Sequence, residues 1–165
     1  MPTVIDTPLT TAPLPAVIDH IVSTHHVYLK RELPALQERI DRIAHNPALS
    51  HTFARLRAEL EAHLMKEENI LFPVIRAYVD ARNHARPLPR VPFGSVANPI
   101  RMMEHEHENA TEALAILSEE IPALTSPAQL ALREDLLAFL ADMRQHIHLE
   151  DDILFPRAVR LEAGE

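Results

Sequence analysis

HLMKEENILFP at 63–73 and HIHLEDDILFP at 146–156 are two copies of one pattern, H-x-x-x-E-x-x-I-L-F-P. The copies align His63 with His146 and Glu67 with Glu150. Four residues along a helix is about one turn, so each His/Glu pair projects from a single face. An apolar tail beside each pair points that face inward. Carboxylate and imidazole delivered together, twice, into an apolar setting are the donor set of a two-metal centre.

Composition narrows the alternatives. The chain has 165 residues, enough for one domain with its own core. Its net charge of -8 and the absence of a dense basic run speak against nucleic acid or an anionic membrane as partner. It has no cysteine, which excludes a disulfide scaffold, thiolate zinc or iron–sulfur ligation and a Cys nucleophile, and fits a reducing cytoplasm. The first residues, MPTVIDTPLTTAPLPA, carry no Lys or Arg and are broken by proline, so they form neither a secretory signal nor a membrane span. Two glycines and few aromatics suit helices rather than sheets.

The apolar spacing predicts four helices behind an N-terminal arm at 1–14, with one domain over 15–165. The first helix spans 15–44, with Ile18, Val22, Leu29, Leu33, Leu36, Ile40 and Ile43 inward and a kink expected at Pro34. The second follows a Ser50 cap and turns Phe53, Leu56, Leu60, Leu64 and Leu71 inward. The Pro- and Arg-rich stretch 80–97 reads as a long connection. The third opens at Asn98-Pro99 and buries Ile100, Met103, Leu114 and Leu117. The fourth starts at the capping box Ser126–Gln129 and runs past Phe155. Two hairpins joined by a long loop make an all-α, antiparallel four-helix bundle.

The repeat extends to the first helix of each hairpin, where His26 precedes His63 by 37 positions and His107 precedes His146 by 39. At about 100° per residue, His107 falls in the Ile100/Met103/Leu114 stripe and His105 opposite it. His146 and Glu150 flank the Leu136/Leu140/Met143/Ile153 stripe, while His148 points away. In the first helix the phase slightly favours His25 over His26, and it places His45 on the far side. His20, His51 and His84 read as surface residues. Ile70, Leu71 and Phe72, with Ile153, Leu154 and Phe155, read as core filling, and Pro73 and Pro156 as bends after the metal-bearing turn. Glu68, Asp151 and Asp152 are solvated charges or partners of the ligands. A lone inward His is commonly just a hydrogen-bonded core residue. Two inward His/Glu pairs are different, because Glu is rarely buried unless paired or coordinating.

Imidazole with bridging carboxylate and no thiolate suits iron or manganese better than structural zinc. The set is richer in His than the ferritin type, which needs four glutamates and E-x-x-H pairs.

The segments HHVYLKRELPAL (25–36), HLMKEENILFP (63–73), NPIRMMEHEH (98–107) and HIHLEDDILFPRA (146–158) resemble the hemerythrin-like di-iron proteins, and within them the Repair of Iron Centers family. The resemblance runs from about Ile18 to Ala158. It implies a hemerythrin-like bundle holding two non-haem iron ions on His26, His63, Glu67, His107, His146 and Glu150. Both glutamates and an oxide would bridge the irons. It selects His26 over His25 by its distance from Pro34. The family also uses a His at the end of the first helix; His45 is the nearby candidate, two residues closer to Pro34 than the family pattern. Many members carry a small cysteine-bearing N-terminal domain that this sequence lacks, and thiol-dependent iron delivery or nitric oxide transfer is not expected of it.

The resemblance implies repair of iron–sulfur or other iron centres damaged by nitric oxide or oxidants, through iron donation or nitric oxide handling, with damaged iron-centre proteins as partners. The competing reading is a module that reversibly binds or senses dioxygen or nitric oxide. A third, reduction of nitric oxide or peroxide, needs an electron source that the sequence does not show.

Overall fold

The computed structural model describes residues 8–165; the expected arm thus lies outside the described residues over 1–7. Four long helices make up most of it: α1 (14–44), α2 (47–83), α3 (Ala97–Glu120) and α4 (130–163). No strand occurs among the described residues.

Three of these helices are not uniform. α1 contains wide π turns at Val22–His26 and Ile40–Ala44, α2 one at Glu67–Leu71 and α4 one at Leu149–Leu154. In the turns at 22, 67 and 149 the backbone bonds run over five residues, as from Phe72 N–H to the Glu67 carbonyl and from Phe155 N–H to the Glu150 carbonyl. Pro73 and Pro156 sit at the start of the α-helical stretches that follow. A proline ring presses on the carbonyl four residues back, here Asn69 and Asp152, and both lie inside the wide turn. The loosening therefore falls within the turns that carry Glu67 and Glu150, not after them. Pro34 is exposed, and α1 runs through it to Ala44.

Helix ends differ in detail from the sequence expectations. α2 begins at Pro47, not after Ser50: the Asn46 side chain accepts from Leu49 N–H at 3.1 Å and Pro47 takes the first turn. α2 also continues to Asn83, which shortens the long connection to 84–96. α3 starts at Ala97, before Asn98, whose side-chain amide donates to the Phe93 carbonyl in the loop; the Glu162 carboxylate accepts from Val96 N–H at 2.8 Å. Only half of the Ser126 capping box forms, with Ser126 N–H donating to Gln129 Oε1. The Gln129 amide instead donates to the carbonyls of Ile43 and Ala44, closing the end of α1. Before α1, Arg157 donates to the carbonyls of Leu9 and Ala12 and pins residues 9–12 against α4.

The core divides into two apolar clusters. One gathers Leu29, Leu36, Phe53, Leu64, Leu114, Phe139 and Met143; the other gathers Ile18, Ile21, Leu71, Phe72, Met103, Leu154 and Phe155. Along every helix the boundary between them falls on a repeated polar residue: His26, Glu67, His107 and His146. Ile70 is the exception to the expected filling. It is 48 % exposed, since the wide turn rotates it outward.

Candidate metal centre

His26 is wholly buried, as are Glu67 and Glu150, while His63, His107 and His146 are at most 2 % exposed. The four imidazoles direct Nε2 to the same place. His26 Nε2 lies 3.2 Å from His146 Nε2, and His107 Nε2 lies 3.0 Å from His63 Nε2. Glu150 meets His146 at 2.8 Å and His107 at 3.0 Å, and Glu67 comes within 3.4 Å of both His26 and His63. Two groups of donor atoms result, each within 4.8 Å: His26, Glu67, His146 and Glu150, and His63, Glu67, His107 and Glu150. Both glutamates belong to both groups.

The outward ring atoms are held by carboxylates. His26 Nδ1 pairs with Glu68 at 2.9 Å, His63 Nδ1 with Glu106 at 2.8 Å and His107 Nδ1 with Asp151 at 2.7 Å. Lys30 grips Glu68 and Lys66 grips Glu106. An Nδ1–H donated to a carboxylate fixes the tautomer that leaves Nε2 free to ligate, the usual support of a metal-bound histidine. Phe72 stacks on His26 and Phe155 on His107, so the Phe residues of the ILFP tails form part of the wall of the centre.

Electrostatics point the same way. Burial alone would lower the His26 pKa, but the adjacent carboxylates of Glu150 and Glu67 outweigh it and push it up to about 10. For His107 burial again opposes, and Asp151 with Glu150 pushes it up to about 10. Burial and the charge of Glu150 would raise Glu67, yet His63 and His26 hold it below the usual carboxylate range. Glu150 lies well below that range: burial would raise it, but His146, His107 and His26 prevail. Without metal the cluster keeps positive charge as protons on imidazole. Both oxygens of Glu67 nevertheless lack a hydrogen-bond partner although fully buried. An unsatisfied buried carboxylate costs several kcal/mol, roughly, unless a cation meets it. The donor set therefore fits two cations bridged by carboxylate.

A cleft of about 410 Å³ between α2 and α3 reaches this centre at His63 and His107. Ala58, Ala62 and Ala110 leave the space, and Glu59 and Glu106 line it with negative charge.

The hemerythrin HHE cation binding domain matches residues 17–158. The chain belongs to the hemerythrin family. It is 34 % identical over 165 residues to the iron–sulfur cluster repair protein YtfE of Musicola paradisiaca, covering 92 % of this chain and 68 % of the relative. The YtfE proteins of Pectobacterium carotovorum and Citrobacter koseri are 33 % and 32 % identical, again over more than nine-tenths of this hemerythrin chain and about two-thirds of theirs.

Of the seven residues named from the sequence, the structure brings six together. His45 is not among them. It ends α1 in a left-handed conformation (φ 51°), exposed to solvent. Nineteen residues of helix, about 28 Å, separate it from His26, with the first apolar cluster between. The choice between His25 and His26 resolves differently: both are buried. The wide turn at Val22–His26 shifts the phase that a straight helix would keep, so two consecutive histidines face inward. Only His26 joins the donor groups. His25 Nδ1–H donates to Asp142 at 2.8 Å, and the ring stacks on His146, centroids 5.5 Å apart. His105 and His148 are exposed. The sequence reading passed over Glu106 and Asp142. Glu106 carried no signal beyond its place next to His107, because which edge of α3 faces α2 is set only by packing; Asp142 had one in its position a turn before His146.

Proposed function

We propose that this protein holds two non-haem irons between its four helices and supplies iron to iron–sulfur or other iron centres damaged by nitric oxide or oxidants. The observation that carries the reading is the pair of donor groups sharing Glu67 and Glu150. His26 and His146 would hold one iron and His63 and His107 the other, with Glu67 and Glu150 in reach of both. Iron rather than zinc is supported by the nitrogen and carboxylate donors without thiolate, and by hemerythrin membership. The repair role is supported by the relatives, which are named for iron–sulfur cluster repair.

The chain's own part in this is to hold and to let go. Glu68, Glu106 and Asp151 orient three of the imidazoles. Phe72 and Phe155 exclude water from the rings they cover. When bound, the iron pair supplies ferrous ion and an open position for a small ligand. A cytoplasmic setting belongs to the same reading. It is compatible with the absence of cysteine and with the lack, among the described residues, of any helix long and apolar enough to cross a membrane.

A second reading, reversible binding of nitric oxide or dioxygen, is favoured by the cleft that reaches His63 and His107. One experiment separates the two. An iron–sulfur protein bleached by nitric oxide regains activity on addition of the iron-loaded protein, and not with the metal-free protein or the Glu67→Leu variant. A gas binder keeps its iron against a chelator and restores nothing. Rescue by free ferrous iron at the same rate and concentration would count against a dedicated repair role.

A further inference from the structure

The centre has an approximate two-fold correspondence that follows the sequence repeat. It pairs His26 with His107, His63 with His146, Glu67 with Glu150, Glu68 with Asp151 and Phe72 with Phe155. The contacts obey it: His26–Glu68 repeats as His107–Asp151, and the Phe72 stack on His26 repeats as the Phe155 stack on His107. Among the groups that hold the outward nitrogens of the four imidazoles it fails at one place. Glu106, the residue before His107, holds His63 Nδ1. The corresponding residue before His26 is His25, which would have to hold His146 Nδ1. His25 instead lies flat on the His146 ring, its plane within 4°. Its own Nδ1 is engaged by Asp142, and His146 Nδ1 is buried with no hydrogen-bond partner. Leu149, buried, stands where the repeat has Lys66 beside Glu106.

We propose that His25, standing in the place of a carboxylate, makes the His26/His146 position the weaker of the two metal positions and the one that gives up iron. The second half of this statement rests on the iron-donor reading above; the first rests only on the donor groups. A carboxylate behind a ligating imidazole orients the ring and strengthens its donor nitrogen, and losing that partner typically costs 10- to 100-fold in metal affinity. Three of the four imidazoles have such a partner. His146 alone has a stacked ring instead, which fixes the ring plane but accepts nothing from Nδ1. One weakly held and one firmly held iron suit a protein that must release metal without losing its fold.

The test is anaerobic titration of the whole metal-free chain with ferrous ion against a competing chelator at equilibrium, which does not depend on access through the cleft. The wild type shows two affinities about 10- to 100-fold apart. His25→Gln offers an amide oxygen to His146 Nδ1 without adding charge near Asp142, and it tightens the weaker site by about tenfold. The mirror variant Glu106→His deprives His63 of its partner and weakens the tighter site. Either variant brings the two affinities together, by opposite routes, so one that fails to fold leaves the other decisive. Two equal affinities in the wild type, or a gap unchanged in a folded variant, overturns the inference while leaving the di-iron reading intact. A wild-type chain that binds no iron overturns both.

Discussion

The Nε2 atoms of His63 and His107 approach to 3.0 Å across the interface of α2 and α3, deep in an apolar bundle. Two imidazoles meet in this way only if a proton or a metal ion lies between their lone pairs. The same holds for His26 and His146 at 3.2 Å, and the two fully buried glutamates lie against both pairs.

Replacing either of the glutamates shared by both donor groups should empty the centre while the helices survive. Glu67→Leu or Glu150→Leu removes a donor from both groups at once, and leucine is a good helix former. Metal analysis should fall from about two irons per chain to less than one, the stoichiometry set by the two groups. The oxo-bridge absorption should vanish while far-ultraviolet circular dichroism stays near wild type. Full iron in both variants would remove these glutamates from the centre.

Neighbouring histidines provide an internal control. His107→Ala and His146→Ala should lose iron, whereas His105→Ala and His148→Ala should keep it, because the latter pair is exposed. His45→Ala should also keep full iron, given its place at the far end of α1. Equal losses across all five would mean that the donor groups are assigned to the wrong faces.

The carboxylates behind the ligands should matter without touching metal. Glu68→Ala and Glu106→Ala remove the acceptor that holds His26 and His63. Chelator competition should show iron affinity about 10- to 100-fold lower in each. Wild-type affinity in both would show these carboxylates to be surface ion pairs only.

Metal-free and iron-loaded protein should respond oppositely to pH. His26 and His107, pushed up to about 10 from an ordinary 6.5, bind protons more tightly folded than unfolded. Their contribution is fully present below pH 6.5 and is lost as pH rises toward 10. Glu67 and Glu150, held below the ordinary 4.5, contribute above that value and lose it on acidification. The metal-free chain should therefore be most stable between about 4.5 and 6.5, with the melting temperature falling on the alkaline side. Iron replaces the same protons, so its affinity should rise with pH over that range. A melting temperature of the metal-free chain that is flat from pH 6.5 to 10 would contradict this proton count.

Much of this was legible in the residues. The duplicated H-x-x-x-E-x-x-I-L-F-P pattern carries its own geometry, since four residues is one turn and the repeat supplies a second copy. The inward faces of all four helices follow from apolar periodicity alone, as does the outward placing of His105 and His148. Period counting fails where the helix widens. Ile70 turns outward, and His26 turns fully inward beside His25, because the turns at Glu67–Leu71 and Val22–His26 hold an extra residue. No local rule in the sequence announces such a turn; the Phe-Pro steps after 71 and 154 are its nearest mark.

By itself, then, the sequence determined the helical class, the inward stripes and the two His/Glu pairs, because these depend on spacing within one helix. Periodicity left His26 against His25 open until the family resemblance chose His26, and it placed His45 on the far side; only the tertiary structure gathers His26 into the donor groups, leaves His45 at the far end of α1 and sets Glu106, rather than a residue of its own helix, behind His63. Those choices depend on which helices face each other and at what height, and a contact across 43 residues of chain, as between His63 and Glu106, leaves no periodic trace in either segment.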